Sequence, residues 1–280
     1  MIKVGDYEVT THNFGDFRLD GGAMFGSVPK NLWDKKIKSD DENCIAMSTR
    51  SLVLKSKDAL ILLDVGYGYK WNEKLRRIFA FEEKARSAPF GTAPFGTEQV
   101  TDVILTHLHF DHAGGISSVD KNGKLVPTYP NATIHLQLAN LKNAQSPNLK
   151  EKASYLTENV SVVASSDLRL VQGTGEILPG IKVHEVDGHT VGQQWVEIFD
   201  EKTAIFFPTD LVPTSHHLLL PFQMGYDMCA ATVMKEKEAF LKEAVNRKAI
   251  VVFQHDRDFE AGRIGTDAKG GYFVAEKTTI

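Results

Sequence analysis

The chain has 280 residues, 42% hydrophobic and 24% charged, with a formal net charge of −4 at pH 7. Such a composition suits an ordinary soluble globular protein and provides no basic footprint for nucleic acid or an anionic membrane surface. No apolar run reaches the roughly 18 residues of a membrane span, MIKVGDYEVT lacks the apolar core of a secretory signal so a cytoplasmic address is expected, and two isolated cysteines, Cys44 and Cys229, make no disulfide framework or metal knuckle.

In chain order, YEVTTHNFGDFRLDGG alternates loosely between apolar and polar residues and breaks at Gly21-Gly22. Two paired strands are expected at Ala46 to Leu54 and Ala59 to Leu63, joined by the polar turn KSKD. DVGYGY is a glycine-marked strand exit, and Leu75, Ile78 and Phe79 suggest a helix from Trp71 to about Arg86. SAPFGTAPFGT reads as an irregular loop, and VTDVILTH as a short buried strand. A strand at Ala132 to Leu136 and a helix near Leu138 to Ala144 follow. Five β-like segments come next: NVSVVAS, LRLVQG, IKVHEV, QWVEIF and AIFF. An amphipathic helix over Ala231 to Asn246 carries Val233, Lys237, Phe240, Leu241 and Ala244 at helical spacing, and AIVVFQH is a strand ending on His255. No linker-like stretch divides the chain, so one domain over residues 1–280 is expected, with residues 1–40 as an N-terminal loop and strand arm.

The stretch HLHFDH packs His107, His109, Asp111 and His112 behind the VTDVILTH strand. On an extended chain His107 and His109 point to one side, while Asp111 and His112 lie where the chain turns, with Gly114-Gly115 freeing the backbone. Imidazoles and carboxylates suit zinc, manganese, iron or cobalt. Four donors this close cannot all reach one ion without severe strain, which points to two ions. Other apolar β-like runs end on His189, Asp210 and His255, the place where a rigid scaffold presents a ligand.

This pattern, His-x-His-x-Asp-His followed by His, Asp and His, resembles the metallo-β-lactamase superfamily from Asp64 through His255. The resemblance implies an α/β fold, the four-layer αββα sandwich. It implies two divalent metal ions, zinc the first choice: His107, His109 and His189 for one, Asp111, His112 and His255 for the other, and Asp210 bridging both. The reaction implied is hydrolysis of a small lactone, ester or phosphotriester by a metal-bridging hydroxide, with Asp111 or Asp210 shuttling the proton and Asp64 orienting a ligand histidine. Many true β-lactamases carry cysteine where Asp210 stands, and Cys229 is out of register with it, which favours lactonases, phosphotriesterases and glyoxalase II-like thioesterases over antibiotic hydrolysis.

DGGAMFGSVPKNLW and TDLVPTSHHLLLPFQMGYD are similar to the N-acyl-homoserine lactonase and methyl-parathion-hydrolase-like branch. On that similarity Met24 and Phe25 stand at a pocket mouth that takes a small-molecule substrate. Some lactonases place a tyrosine three residues after the bridging Asp; Pro213 occupies that position here, leaving His217 and Tyr226 as candidates for its role. His216-His217 has the competing reading of a solvated pair. A glyoxalase II-like thioesterase requires a cationic pocket, and no basic cluster is evident after His255 apart from Arg257 and Arg263, while the acidic balance disfavours a nuclease. A non-enzymatic sensor on the same scaffold would lack metal ligands, and flavodiiron chemistry would need a further flavin domain. The apolar arm with Met24, Phe25, Val28, Leu32 and Trp33 predicts a homodimer.

Overall fold

Apolar alternation in the first quarter of the chain produces four strands in the computed structural model, which describes residues 1–81 and 95–280. β1 (Ile2–Val4) pairs antiparallel with the long β2 (Tyr7–Asp20). Two short helices follow, α1 (Gly21–Phe25) and α2 (Lys30–Trp33), and then β3 (Cys44–Lys55) and β4 (Leu60–Leu63) form the expected antiparallel pair. The Asp20 carboxylate accepts from Ala23 N at 2.8 Å, capping α1 where the glycine pair had suggested only a break.

Next come α3 (Glu73–Phe79), β5 (Asp102–Ile104), α4 (Phe110–Ala113), a hairpin of β6 (Ser117–Val119) and β7 (Leu125–Pro127), β8 (Thr133–Gln137), α5 (Leu138–Gln145), α6 (Thr157–Ser165) and β9 (Leu168–Val171). The last third holds β10 (Gly175–Leu178), β11 (Ile181–Val186), β12 (Gln193–Phe199), β13 (Ala204–Phe207), α7 (Ala230–Asn246), β14 (Ile250–Val252), β15 (Ala261–Thr266) and β16 (Tyr272–Thr278). The architecture is mixed α/β, as the sequence pattern implies.

The chain divides into two compact units, one of Met1–Phe17 with Thr49–Gly173 and one of Arg18–Ser48 with Thr174–Ile280. In the first, a seven-stranded sheet has the order β1-β2-β3-β4-β5-β8-β9, with β4, β5, β8 and β9 parallel. Its core gathers Leu62, Val103, Leu105, Leu136, Val160 and Val163. In the second, the order is β10-β11-β12-β13-β14-β15-β16, antiparallel except for the β13–β14 pair. Here Trp195, Phe206 and Phe240 meet at ring-centroid distances of 4.9 to 5.8 Å, fixing α7 to the sheet. Burying each such side chain contributes about 2–3 kcal/mol.

Two expectations need correction. NVSVVAS is not a strand but most of helix α6, with Val160 and Val163 in the core. The β-branched run favours a strand locally, yet core burial three residues apart and side-chain bonds from Ser161, Ser165 and Ser166 to carbonyls four residues back suit the helix. The helix from Trp71 is shorter, ending at Ala80 in a left-handed conformation with φ 49°; the continuation to Arg86 and most of SAPFGTAPFGT lie outside the described residues. The strand reading also missed the short β1 and β10 and the β15–β16 hairpin beyond His255.

Candidate metal centre

Each unit carries its own cluster of donors, held beyond the carboxyl ends of its strands. In the first unit β5 ends at Ile104, and an extended stretch takes the chain through His107 and His109 into the single turn of α4. Leu108 is buried in the core between them and its amide donates to Asn140 Oδ1 at 3.0 Å. The alternation leaves the imidazoles of His107 and His109 together at 4.5 Å between centroids, and His112 joins His107 at 3.9 Å. Asp111 Oδ1 lies 3.7 Å from His112 Nε2.

Asp64, the residue after β4, organises this cluster. One carboxylate oxygen accepts from Thr106 N at 2.8 Å, and the other from Thr106 Oγ1 at 2.8 Å and His112 Nδ1 at 2.9 Å. Because Thr106 Oγ1 donates to Asp64, its lone pair faces His107 Nδ1 at 3.1 Å and calls for a proton there. Asp64 is wholly buried and sits at φ 59°, a strained setting for a residue with a Cβ. The glycines play a different part from the one their turn position suggested. Gly114 has an ordinary helical φ of −60°, but a Cβ on it would lie 2.1 Å from the Tyr67 carbonyl oxygen, and one on Gly115 2.2 Å from that of Val65. They are required by close chain approach, not by backbone freedom.

In the second unit three strands deliver a donor each, three residues beyond their ends: His189 after β11, Asp210 after β13 and His255 after β14. Asp210 stands between the two histidines, with Oδ2 3.0 Å from His189 Nε2 and Oδ1 2.9 Å from His255 Nε2. Thr209 before it has φ 48°, a strained value for a β-branched residue, and its Oγ1 lies 2.9 Å from the Gln193 amide. The far nitrogens are also engaged: His189 Nδ1 donates to Asp227 Oδ1 at 2.9 Å and His255 Nδ1 to the Ser48 carbonyl at 2.8 Å. Burial works against charge on His189, but Asp210 and then Asp227 outweigh it and raise its pKa to about 10.

The donor chemistry of both clusters fits divalent metal. For His107, His112, His189 and His255 the bonds at Nδ1 place the proton there and turn the Nε2 lone pair to the cluster, as in metal-ligating imidazoles. Two such lone pairs aimed at the carboxylate of Asp210 call for positive charge between them, from a proton or a metal ion.

The remaining candidates are also placed. Met24 and Phe25 are buried in the second unit, with the Phe25 ring stacked 5.4 Å from Trp33 and 4.7 Å from His217. His217 is buried too, not a solvated residue; Nε2 donates to Met24 O at 2.9 Å and Nδ1 accepts from Thr214 Oγ1 at 2.7 Å. Burial pushes its pKa down to about 3, so it stays neutral at physiological pH. Tyr226 is 37% exposed. Sequence reasoning missed Asp227, Ser48 and Glu151, whose carboxylate lies 3.8 Å from His109 Nε2. Asp227 lay inside a quoted segment, but nothing local marked it; its role depends on a fold contact across 38 positions.

Known proteins resemble this chain in sequence and in fold. The family model described as the metallo-β-lactamase superfamily matches residues 46–255. An N-acyl homoserine lactonase from a Bacillus species is 31% identical over 170 residues, a match spanning 59% of this chain and 59% of that relative's length. A crystal structure of a probable metal-dependent hydrolase from Staphylococcus aureus superposes with a TM-score of 0.85 at 26% identity, covering 99% of this chain and 100% of that one. A dizinc quorum-quenching lactonase shares the fold at TM-score 0.79 and 19% identity, covering 100% of this chain and 97% of that one. With its donors at the strand ends and a family match over most of its length, the chain belongs to the metallo-β-lactamase superfamily.

Proposed function

We propose that the protein is a dinuclear metal-dependent hydrolase that opens small lactones or esters, with phosphotriesters as a related substrate class. The observation that carries the reading is the placement of Asp210, one oxygen toward His189 and the other toward His255, which suits a carboxylate shared by two cations. On this proposal the two units act as one domain. His107, His109 and His189 hold one ion; Asp111, His112 and His255 hold the other; Asp210 holds both. Zinc is the first choice, and manganese, iron or cobalt suit the same donors.

The ions would supply Lewis acidity toward the substrate oxygen and a water acidified to near neutral pH. The chain's own residues do the rest. Asp64 and Asp227 keep His112 and His189 in the tautomer that presents Nε2. Asp111 or Asp210 takes the proton of the attacking water and returns it to the leaving alkoxide, giving the ring-opened hydroxy acid from a lactone. Lactonases among the sequence relatives, and the lactonase among the fold neighbours, support a lactone first.

The test is a screen of metal-reconstituted protein against homoserine lactones, aryl esters, paraoxon-type triesters and S-lactoylglutathione. Turnover of a lactone or ester is expected, and Asp210→Asn or His109→Ala should abolish every activity found. Turnover of the thioester alone would replace the reading with a glyoxalase II-like one, and full turnover by either variant would refute the ligand assignment.

A further inference from the structure

Lys237 lies on the apolar face of α7 with Val233, Phe240, Leu241 and Ala244, and it is as buried as they are, at 0% exposure. Its ammonium donates to three main-chain carbonyls: Phe222 at 2.5 Å, His217 at 3.2 Å and Leu219 at 3.3 Å. An ammonium has three protons, and here each has a carbonyl to meet. Burial pushes the Lys237 pKa down to about 8, against the nearby Asp227, which raises it. A buried cation bonded to neutral carbonyls is costly, and a leucine or methionine would pack this helix face more cheaply. The His217 carbonyl belongs to a short 3-10 helix (Ser215–Leu218) and those of Leu219 and Phe222 to the chain just after it, which from Leu219 to Cys229 has no helix or strand of its own.

That segment bears on His189 through Asp227. Asp227 Oδ1 receives the His189 Nδ1 proton, while Oδ2 accepts from Met224 N at 2.9 Å. The same segment anchors α1, since Gly225 N donates to Ala23 O at 2.7 Å and His217 Nε2 to Met24 O. The neighbouring helix residue, Glu236, receives Asp187 N at 2.8 Å and Gly188 N at 3.0 Å, seating the turn before His189. Consecutive side chains of α7 thus hold both loops that meet at this imidazole.

We infer that Lys237 is a positioning residue for the metal site: by binding the carbonyls of His217, Leu219 and Phe222 it fixes the loop that carries Asp227, and Asp227 fixes His189. This rests on the reading under Proposed function. Asp227 becomes only as good an anchor as the loop beneath it, and an apolar residue at 237 removes the three bonds that hold that loop to α7, leaving it tied by the Gly225, Met228 and Cys229 amides.

The experiment compares wild type, Lys237→Met and Lys237→Gln, zinc-reconstituted, by competition with a chromophoric chelator. Wild type should release two ions. Lys237→Met should hold one ion at least tenfold more weakly and the other unchanged; Lys237→Gln, which restores amide donors, should recover part of the loss. Near-UV circular dichroism establishes that the variants are folded. Two release steps within twofold of wild type in folded Lys237→Met overturn the inference, as does equal weakening of both ions. A wild type that binds no divalent ion overturns the dinuclear reading instead. Hydrogen exchange in the wild type tests the rigidity of the loop independently of any variant. The Met224, Gly225 and Asp227 amides should exchange as slowly as the centre of α7, and exchange at the rate of an open loop refutes it.

Discussion

Replacing Asp64 with asparagine keeps size and shape and reverses the two hydrogen bonds at one carboxylate oxygen. Asp64 accepts three bonds, from Thr106 N, Thr106 Oγ1 and His112 Nδ1. Asparagine can keep its oxygen on the Thr106 amide, because turning its NH₂ there would set two donors against each other. The NH₂ then faces both His112 Nδ1 and Thr106 Oγ1: His112 Nδ1 becomes an acceptor and its proton moves to Nε2, while the Thr106 hydroxyl turns to donate to His107 Nδ1 and shifts that proton to Nε2 as well. Loss of a carboxylate of this kind costs about 10- to 100-fold in metal affinity, or about 1.4 to 2.8 kcal/mol at about 1.4 kcal/mol per decade. Chelator competition should show that loss for both ions, since His112 and His107 stand in different ligand sets. Two ions bound by Asp64→Asn within threefold of wild type would refute both the tautomer argument and the role given to Asp64.

Gly114→Ala should destabilise the fold by about 3 kcal/mol or more, the upper range for overpacking, because its Cβ meets the Tyr67 carbonyl at 2.1 Å and backbone cannot swing aside. A lower urea midpoint at unchanged slope is the expected readout, and a wild-type midpoint sinks the close-approach account. Lys70 provides a pH test. Its ammonium donates to Gly114 O and Ser117 O, both at 2.7 Å, and burial pushes its pKa from 10.5 down to about 8, with Glu158 opposing. Between those values the unfolded chain binds the extra proton, so stability should rise with pH across the window. Relative to Lys70→Met, the wild type should gain about 3 kcal/mol from pH 8 to 10.5. Parallel stability curves for the two proteins would contradict this.

The candidate donors were legible in the sequence because metal chemistry restricts residue type so strongly. Four of them lie within six positions, and His189, Asp210 and His255 each follow an apolar strand whose period needs no tertiary information. What the sequence left open depends on contacts between distant segments. The pairing of Asp64 with His112 spans 48 positions, and that of His189 with Asp227 spans 38. Neither aspartate differs locally from a turn residue. The valine-rich NVSVVAS obeys its core and not its propensity, and becomes a helix. Gly114 and Gly115 were visible as glycines, but the carbonyls that exclude a side chain there come from residues 65 to 67. Lys237 was visible as the one charged residue on an apolar helix face, and only the folded loop supplies the three carbonyls that explain it. Residue chemistry and local period determined which side chains are candidate donors and where they emerge. Tertiary structure decided which neighbours orient them, since a hydrogen bond is read from distance and direction and leaves no periodic trace along the chain.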